Sequence, residues 1–595
     1  MASEAARSWR EREVAGEPKG VVLDPRREPV PRLQAYSTVY APGHLVISGE
    51  PDEALGLLRE AGAELGWDVQ PEPVREKDES RLTRARIVQS PKEGRDDEPV
   101  PPVDAWRLLQ QARRALLVRE RLQTDAAASG GGAASRATLS APGSASADDA
   151  AEARRQVLLE ASLSNDPKTR EATARRDSAP GGGAPKRSLA PKEKDAEVLR
   201  AVSLDHVLSV DPIDLNPHGR TNPHGRTNPH GRTNPHGRTN PAGTEGYAYP
   251  GSGGLEIVAF VGDAPADRHT LQPEGRRPVI AFADTGCGDH PWLPKSGVRA
   301  VVRHLEWPQG DVIGIDDPNT DPETHGDLEG PLDGFLDDAA GHGTFVAGIL
   351  RQVCPDADLI AIRVADSNGA VLESELIAAL EQLADWVEAG TESEPHHLDV
   401  LNLSLGYYHE TPEDGRFSLR LFEALRRLRA AGVVIVCSAG NDATERPAFP
   451  AALYNWGDPD LTFEEKGHLA RHIAVGALNP QRTSVALYSN IGEWVTLFAP
   501  GTSVLSSFPA FEGGVQAGSR NDRRGRRRQG LDPDDYEAGF AVWSGTSFAA
   551  PFVAARIAAE MAGDLMSGRA GKAPGDAVTR ALAALDKEDR SRITA

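Results

Sequence analysis

In the second half of the chain, short uninterrupted apolar runs alternate with stretches whose apolar residues recur at helical spacing. Residues 279–283 (VIAFA), 359–364 (LIAIRV), 400–405 (VLNLSL) and 433–437 (VVIVC) are apolar at nearly every position, as strands buried on both faces are. Between them, 373–389 and 416–431 carry the apolar period of helices. The alternation predicts an α/β domain with a mostly parallel sheet and helices on both faces. The chemistry of such a sheet collects at the carboxyl ends of its strands, and Asp284 directly follows VIAFA.

The first half is patchier. Residues 1–35 are charged and proline-containing, which predicts a disordered tail. A strand is predicted at 44–48 (HLVIS), a helix at 52–65 with an acidic first turn, and a strand at 85–89 (ARIVQ). A helix at 104–117 with Trp106, Leu109 and Leu116 on one face follows, and a closing strand at 201–210 (AVSLDHVLSV). Residues 121–196 are rich in Ala, Ser, Gly, Lys and Glu and lack the bulky apolar content needed to offset ordering, so they read as an insertion within a region spanning 36–212. Loop-closure entropy grows only logarithmically with length, so an insertion of that size is tolerable. The unit Asn-Pro-His-Gly-Arg-Thr then repeats with a period of six, placing His at 218, 224, 230 and 236. A His-rich tract can bind metal, but Pro and Gly in every unit oppose regular structure and the repeated Arg repels a cation. The segment 213–250 therefore reads as a tether, 251–570 as the α/β domain and 571–595 as a helical tail.

Charge narrows the function. With 66 Lys+Arg against 88 Asp+Glu, the formal charge of −22 opposes a general nucleic-acid binder. Neither an apolar leader core nor a run of roughly 18 apolar residues appears, so no membrane is expected and a cytoplasmic location is. Cys287, Cys354 and Cys437 each sit in or beside an apolar run and match no zinc spacing, which predicts buried free thiols.

Three short motifs carry candidate chemistry. Asp284-Thr285-Gly286 alone fits an aspartic-protease turn or an ordinary loop, although the α/β texture lacks the all-β frame of the former. His342 opens GHGTFVAG, where Ala347 and Gly348 would let a helix approach its neighbours and fix the imidazole. Ser547 in GTSFAAP precedes an apolar helix, where it could serve as N-cap or as a nucleophile beside helix N-terminal amides.

Taken together and in this order, ADTG, GHGTFVAG and GTSFAAP resemble the subtilisin-like serine protease family (peptidase S8) over roughly residues 275–565. The resemblance implies a Ser/His/Asp triad of Asp284, His342 and Ser547, with an oxyanion hole formed by Asn441 and the Ser547 backbone. Ser404, Leu405, Gly406, Phe449 and Pro450 are implied as substrate-binding residues. The implied activity is hydrolysis of peptide bonds in a protein or peptide substrate through an acyl-enzyme, with no cofactor required for the chemistry. The resemblance further implies that 36–212 is a small α+β propeptide-like domain acting as an intramolecular inhibitor; the alternative for this region is an independent adaptor domain that never touches the cleft. The competing reading is a catalytically silent protease fold that acts through its N-terminal region. Two insertions stand out. Residues 306–338 hold eleven carboxylates, which could bind structural calcium or form a solvated loop. Residues 520–528 hold six arginines and read as an exposed loop. The turn after the His342 helix leaves no room for the family's calcium loop, so no metal is expected at 349–358.

Overall fold

A computed structural model describes residues 10–12, 19–26, 28, 34–48, 51–74, 82–90, 99–129, 198–199, 201–210 and 254–569, the last with short gaps at 309, 392, 394, 412–418, 454–468, 515–517, 523 and 532–535. The 130–196 part of the predicted insertion, the repeat tether and the tail at 571–595 lie outside the described residues. The chain forms two compact units, Val21–Asp205 and a larger one comprising Met1–Gly20 and His206–Ala595.

In the smaller unit the strands are β1 (Val21–Val22), β2 (Val39–Ser48), β3 (Trp67–Pro73), β4 (Leu82–Gln89) and the first part of β5 (Val202–Ser209). β4 pairs antiparallel with both β2 and β3. Helices α1 (Pro51–Leu65) and α2 (Ala105–Ser129) supply Leu55, Leu58, Trp106 and Leu109 to one core with Leu45, Val69 and Ile87 of the sheet. No strand was predicted at β3, which contains Pro71 and Pro73. It ends the sheet order, and an edge strand tolerates prolines that a central strand would not. Asp205 is buried against His44 at 2.8 Å and Arg84 at 3.4 Å.

The larger unit is built on a seven-stranded sheet. Its strands are β7 (Val279–Asp284), β8 (Val301–Val302), β9 (Asp358–Arg363), β11 (Val400–Leu403), β12 (Val434–Ser438), β13 (His472–Leu478) and β14 (Leu497–Pro500), in the order β14-β13-β12-β11-β7-β9-β8. Every pairing is parallel. The predicted apolar runs thus become central strands with near-complete burial, and helices α3 (His342–Val353), α4 (Glu373–Ala389), α5 (Leu419–Ala430) and α6 (Thr546–Met566) accompany them. β7 sits between β11, which follows it by a long connection, and β9. The strand order therefore diverges at Asp284, the kind of point where open α/β sheets place their sites.

Three expectations change. Residues 10–12 of the presumed tail form a helical turn, and the buried Arg12 guanidinium pairs with Asp327 and donates to the Asp327 carbonyl at 2.7 Å. The acidic stretch is not a solvated loop throughout, since Glu323, Asp327 and Asp337 are buried and hydrogen-bonded. Buried carboxylates persist only when donors meet them, and each of these finds backbone N–H groups. The arginine-rich segment folds as a hairpin of β16 (Ser519–Asn521) and β17 (Arg527–Gln529).

Candidate active site

Asp284 ends β7, and His342 is the first residue of α3; both are fully buried. Asp284 Oδ1 accepts a hydrogen bond from His342 Nδ1 at 2.7 Å and from the Thr285 N–H at 2.8 Å. With Nδ1 held as the donor, Nε2 is left to accept a proton. It is buried and makes no hydrogen bond in the structure. Helix α3 can come this close because Gly343 lacks a side chain: a Cβ there would lie 2.1 Å from the Gly286 carbonyl oxygen. Gly348 acts likewise one turn on, where a Cβ would meet Ser507 and Ser506 Oγ at 2.2 and 2.3 Å. The two hydroxyls instead bond the Thr344 and Phe345 carbonyls of α3.

Glu323 completes the histidine's support, a role the sequence did not single out among eleven carboxylates. Its Oε1 lies 2.5 Å from Thr285 Oγ1 and accepts from the Gly343 N–H at 3.0 Å. Its Oε2 accepts from the N–H and Oγ1 of Thr344 at 3.1 and 2.5 Å. A carboxylate thereby ties the β7 turn to the open N–H groups of the first turn of α3, where negative charge is favoured. Burial pushes this carboxyl up to about 7, against the bonds from Thr285 and Thr344 that favour its ionised form.

Ser547 is the second residue of α6, and the N-cap is Gly545, so the serine is not spent on capping. Its neighbours fix it between two other candidates. The Thr546 N–H donates to Asn441 Oδ1 at 2.9 Å, and Thr546 Oγ1 accepts from the Gly440 N–H at 3.0 Å. On the other side, the Phe548 ring lies 5.2 Å from the His342 ring. With Asn441 Oδ1 tied to Thr546, the amide's Nδ2 is the end directed elsewhere. Pro551 explains the role of Ser404. Lacking an N–H, Pro551 cannot bond the Ser547 carbonyl one turn back, and Ser404 Oγ donates to that carbonyl at 2.8 Å.

The remaining predicted binding residues divide by role. Leu405 is buried, whereas the Gly406 backbone exchanges two 3.0 Å hydrogen bonds with Ser209. Val210 N–H donates to the Gly369 carbonyl at 2.9 Å, and residues 207–209 pair antiparallel with β10 (Ala370–Leu372). An extended strand of the larger unit thus lies along Gly406, two residues from Ser404. Phe449 pairs its backbone with Tyr407 at 2.9 and 2.8 Å, and Pro450 accepts from His472 Nε2 at 3.0 Å. Cys287, Cys354 and Cys437 are buried free thiols. Among the described residues, one group of side chains converges as metal ligands would: His206, His409 and Glu410. α3 runs unbroken from His342 to Val353.

A family model described as the Subtilase family matches residues 275–567. The chain is 28% identical over 301 residues to an intracellular serine protease of Paenibacillus polymyxa, covering 48% of this chain and 67% of that protein. It is 30% identical over 266 residues to an extracellular serine proteinase of Thermus sp. (strain Rt41A), covering 42% of this chain and 52% of that protein. The solved structure of a cold-adapted subtilisin-like serine proteinase aligns with 53% of the chain and 85% of its own, at 20% identity and a TM-score of 0.29.

Proposed function

Because the chain belongs to the subtilase family, we propose that it is a serine endopeptidase whose triad is Asp284, His342 and Ser547. The observation that carries this reading is the 2.7 Å bond from His342 Nδ1 to Asp284, with Nε2 buried and unbonded and the ring beside the first turn of α6, whose second residue is Ser547. His342 takes the Ser547 proton through Nε2 as Oγ attacks the scissile carbonyl, and returns it to the leaving amine. Asp284 holds the tautomer and stabilises the imidazolium. The Asn441 amide and the Ser547 N–H, at the N-terminus of α6, receive the oxyanion. Water then repeats the sequence on the acyl-enzyme. Each step is carried by a side chain or backbone N–H of this chain, so the chemistry requires no cofactor.

The strand 206–210 supports a second element of the reading. It pairs with Gly406 and β10 as an added strand does, which is how extended peptides are held at sheet edges. We place it in the substrate-binding cleft, so that the polypeptide leading from the α+β unit acts as an intramolecular inhibitor until it is cut. The first cut is expected between about 210 and 255. The substrate class is protein or peptide. None of the described helices is long and apolar enough to cross a membrane. A cytoplasmic setting is proposed on the three free thiols. The test is intact mass during incubation of the full chain. The expected result is a time-dependent loss of the N-terminal region that Ser547→Ala abolishes. Identical processing by the Ser547→Ala chain would overturn the reading.

A further inference from the structure

The inward face of the strand 206–210 carries His206, Leu208 and Val210, all buried, while Val207 and Ser209 are partly exposed. Alternate residues of an added strand supply its specificity, and the first of these three is charged. His206 Nδ1 lies 2.6 Å from Glu373 Oε2, and its Nε2 lies 2.7 Å from Glu410 Oε2. A carboxylate accepts and cannot donate, so both ring nitrogens donate and His206 is an imidazolium. Its ring stacks on Tyr407 at 4.6 Å, and the Tyr407 hydroxyl donates to Glu373 Oε1 at 2.7 Å. Burial alone would lower the imidazolium; the two carboxylates reverse this and push it up to about 10. Burial works against charge on Glu410, and the fields of His409 and His206 overcome it, holding that carboxyl well below its ordinary range. Glu373 opens α4, where helix N–H groups favour a negative charge.

Two buried carboxylates against an aromatic face form an environment that only a cation satisfies. Glu410 Oε1 points the same way, since it is buried without a hydrogen-bond partner even when His206 is seated. A histidine offers the pocket two donors, whereas a guanidinium offers five. We infer that Glu373, Glu410 and Tyr407 form a specificity-determining subsite for a cationic side chain of bound polypeptide, three residues before the residue that pairs with Gly406. This rests on the reading of the strand's seat as the substrate cleft. The preferred segment is then cation-any-apolar-any-apolar, the pattern that His206, Leu208 and Val210 already show. A metal ion is the rival occupant, because ligand atoms of His206, His409 and Glu410 lie within 4.8 Å of one another. However, each His206 nitrogen already faces a carboxylate, and His409 Nδ1 accepts the Thr411 N–H at 3.0 Å.

The test uses two peptide series, Arg-Val-Leu-Ser-Val and Gln-Val-Leu-Ser-Val, each followed by a randomised stretch and digested by the self-processed protein. The arginine series should be cut with a kcat/KM at least about tenfold higher, as expected for charge-assisted hydrogen bonds to buried carboxylates. In the Glu373→Gln/Glu410→Gln chain that ratio should fall to within about twofold of one, and a ratio between two substrates is insensitive to the amount of folded enzyme. Equal cutting of both series by the wild type would overturn the subsite while leaving the endopeptidase reading intact. Cutting of neither series would count against the endopeptidase reading, and a binding readout then decides the subsite. In the full-length Ser547→Ala chain, amide exchange at 207–210 should be at least about tenfold faster in His206→Gln than in His206, and close to the His206 rate in His206→Lys. Unchanged protection in His206→Gln would overturn the inference. So would protection that rises with added zinc and falls with a chelator.

Discussion

Glu323 links the two halves of the Asp284–His342 pair, and its replacement separates charge from hydrogen bonding. In Glu323→Gln, the amide oxygen can face Thr344 and keep both of that residue's bonds, while the amide NH2 faces Thr285 Oγ1. The Gly343 N–H retains Thr285 Oγ1 as an acceptor at 2.8 Å, so the substitution leaves no backbone donor stranded. What it removes is the titration. The folded carboxyl lies near 7 against an ordinary 4.5. The folded state therefore holds this proton more tightly, and the contribution is fully present below pH 4.5 and lost as pH rises through about 7. The shift corresponds to about 3 kcal/mol over that window. The assay is denaturant unfolding followed by tryptophan fluorescence in a Ser547→Ala background, at pH 5 and pH 7.5. Other titrating groups are common to both proteins and cancel in the difference. The glutamate protein should lose about 2–3 kcal/mol relative to Glu323→Gln between those pH values. In Glu323→Ala the buried Thr344 N–H loses its carboxylate acceptor, which costs about 1–3 kcal/mol more than the glutamine variant at pH 5. Parallel pH profiles for the Glu and Gln proteins would refute the reasoning about burial at this carboxyl.

Four further outcomes follow from the same geometry. Asn441→Ala should lower kcat by roughly a hundredfold with little change in KM, because its bond strengthens in the transition state; steady-state peptide hydrolysis reads both. Gly343→Ala should reduce hydrolysis by at least about a hundredfold while the chain stays folded by circular dichroism, since a Cβ 2.1 Å from the Gly286 carbonyl must displace His342 from Asp284. Ser404→Ala should destabilise the chain by about 1–3 kcal/mol, measured by denaturant midpoint, through loss of its bond to the buried Ser547 carbonyl. A thiol reagent at pH 8 should modify none of the three cysteines in the folded chain and all three after unfolding, because all are buried and burial pushes Cys287 and Cys354 up to about 12.

The α/β core was legible because strands buried on both faces leave an unmistakable apolar run, and β7, β9, β11 and β12 all fall on such runs. β13 was harder to read: Gly476 interrupts its apolar character, although that glycine makes room for the Phe498 ring, 2.4 Å from where a Cβ would stand. The site's short motifs were legible as a set, since each holds its residue next to a glycine or small residue that permits close approach. Glu323 was hidden among neighbouring carboxylates, because burial is a property of the folded chain and not of composition. Ser404 carried a signal that could have been used: a proline four residues after Ser547 leaves a helix carbonyl without its N–H, and some donor must replace it. The pairing of His206 with Glu373 and Glu410 joins residues more than 160 positions apart, and no local pattern reports it.

The central claim is that Ser547 is a nucleophile activated by His342, and covalent labelling tests it most directly. The self-processed chain is treated with a fluorophosphonate, digested, and the modified peptide located by mass. One adduct is expected, on Ser547, formed by the wild-type chain and lost in both Ser547→Ala and His342→Ala. An adduct on another residue, or labelling at Ser547 that persists at full rate in His342→Ala, would contradict it.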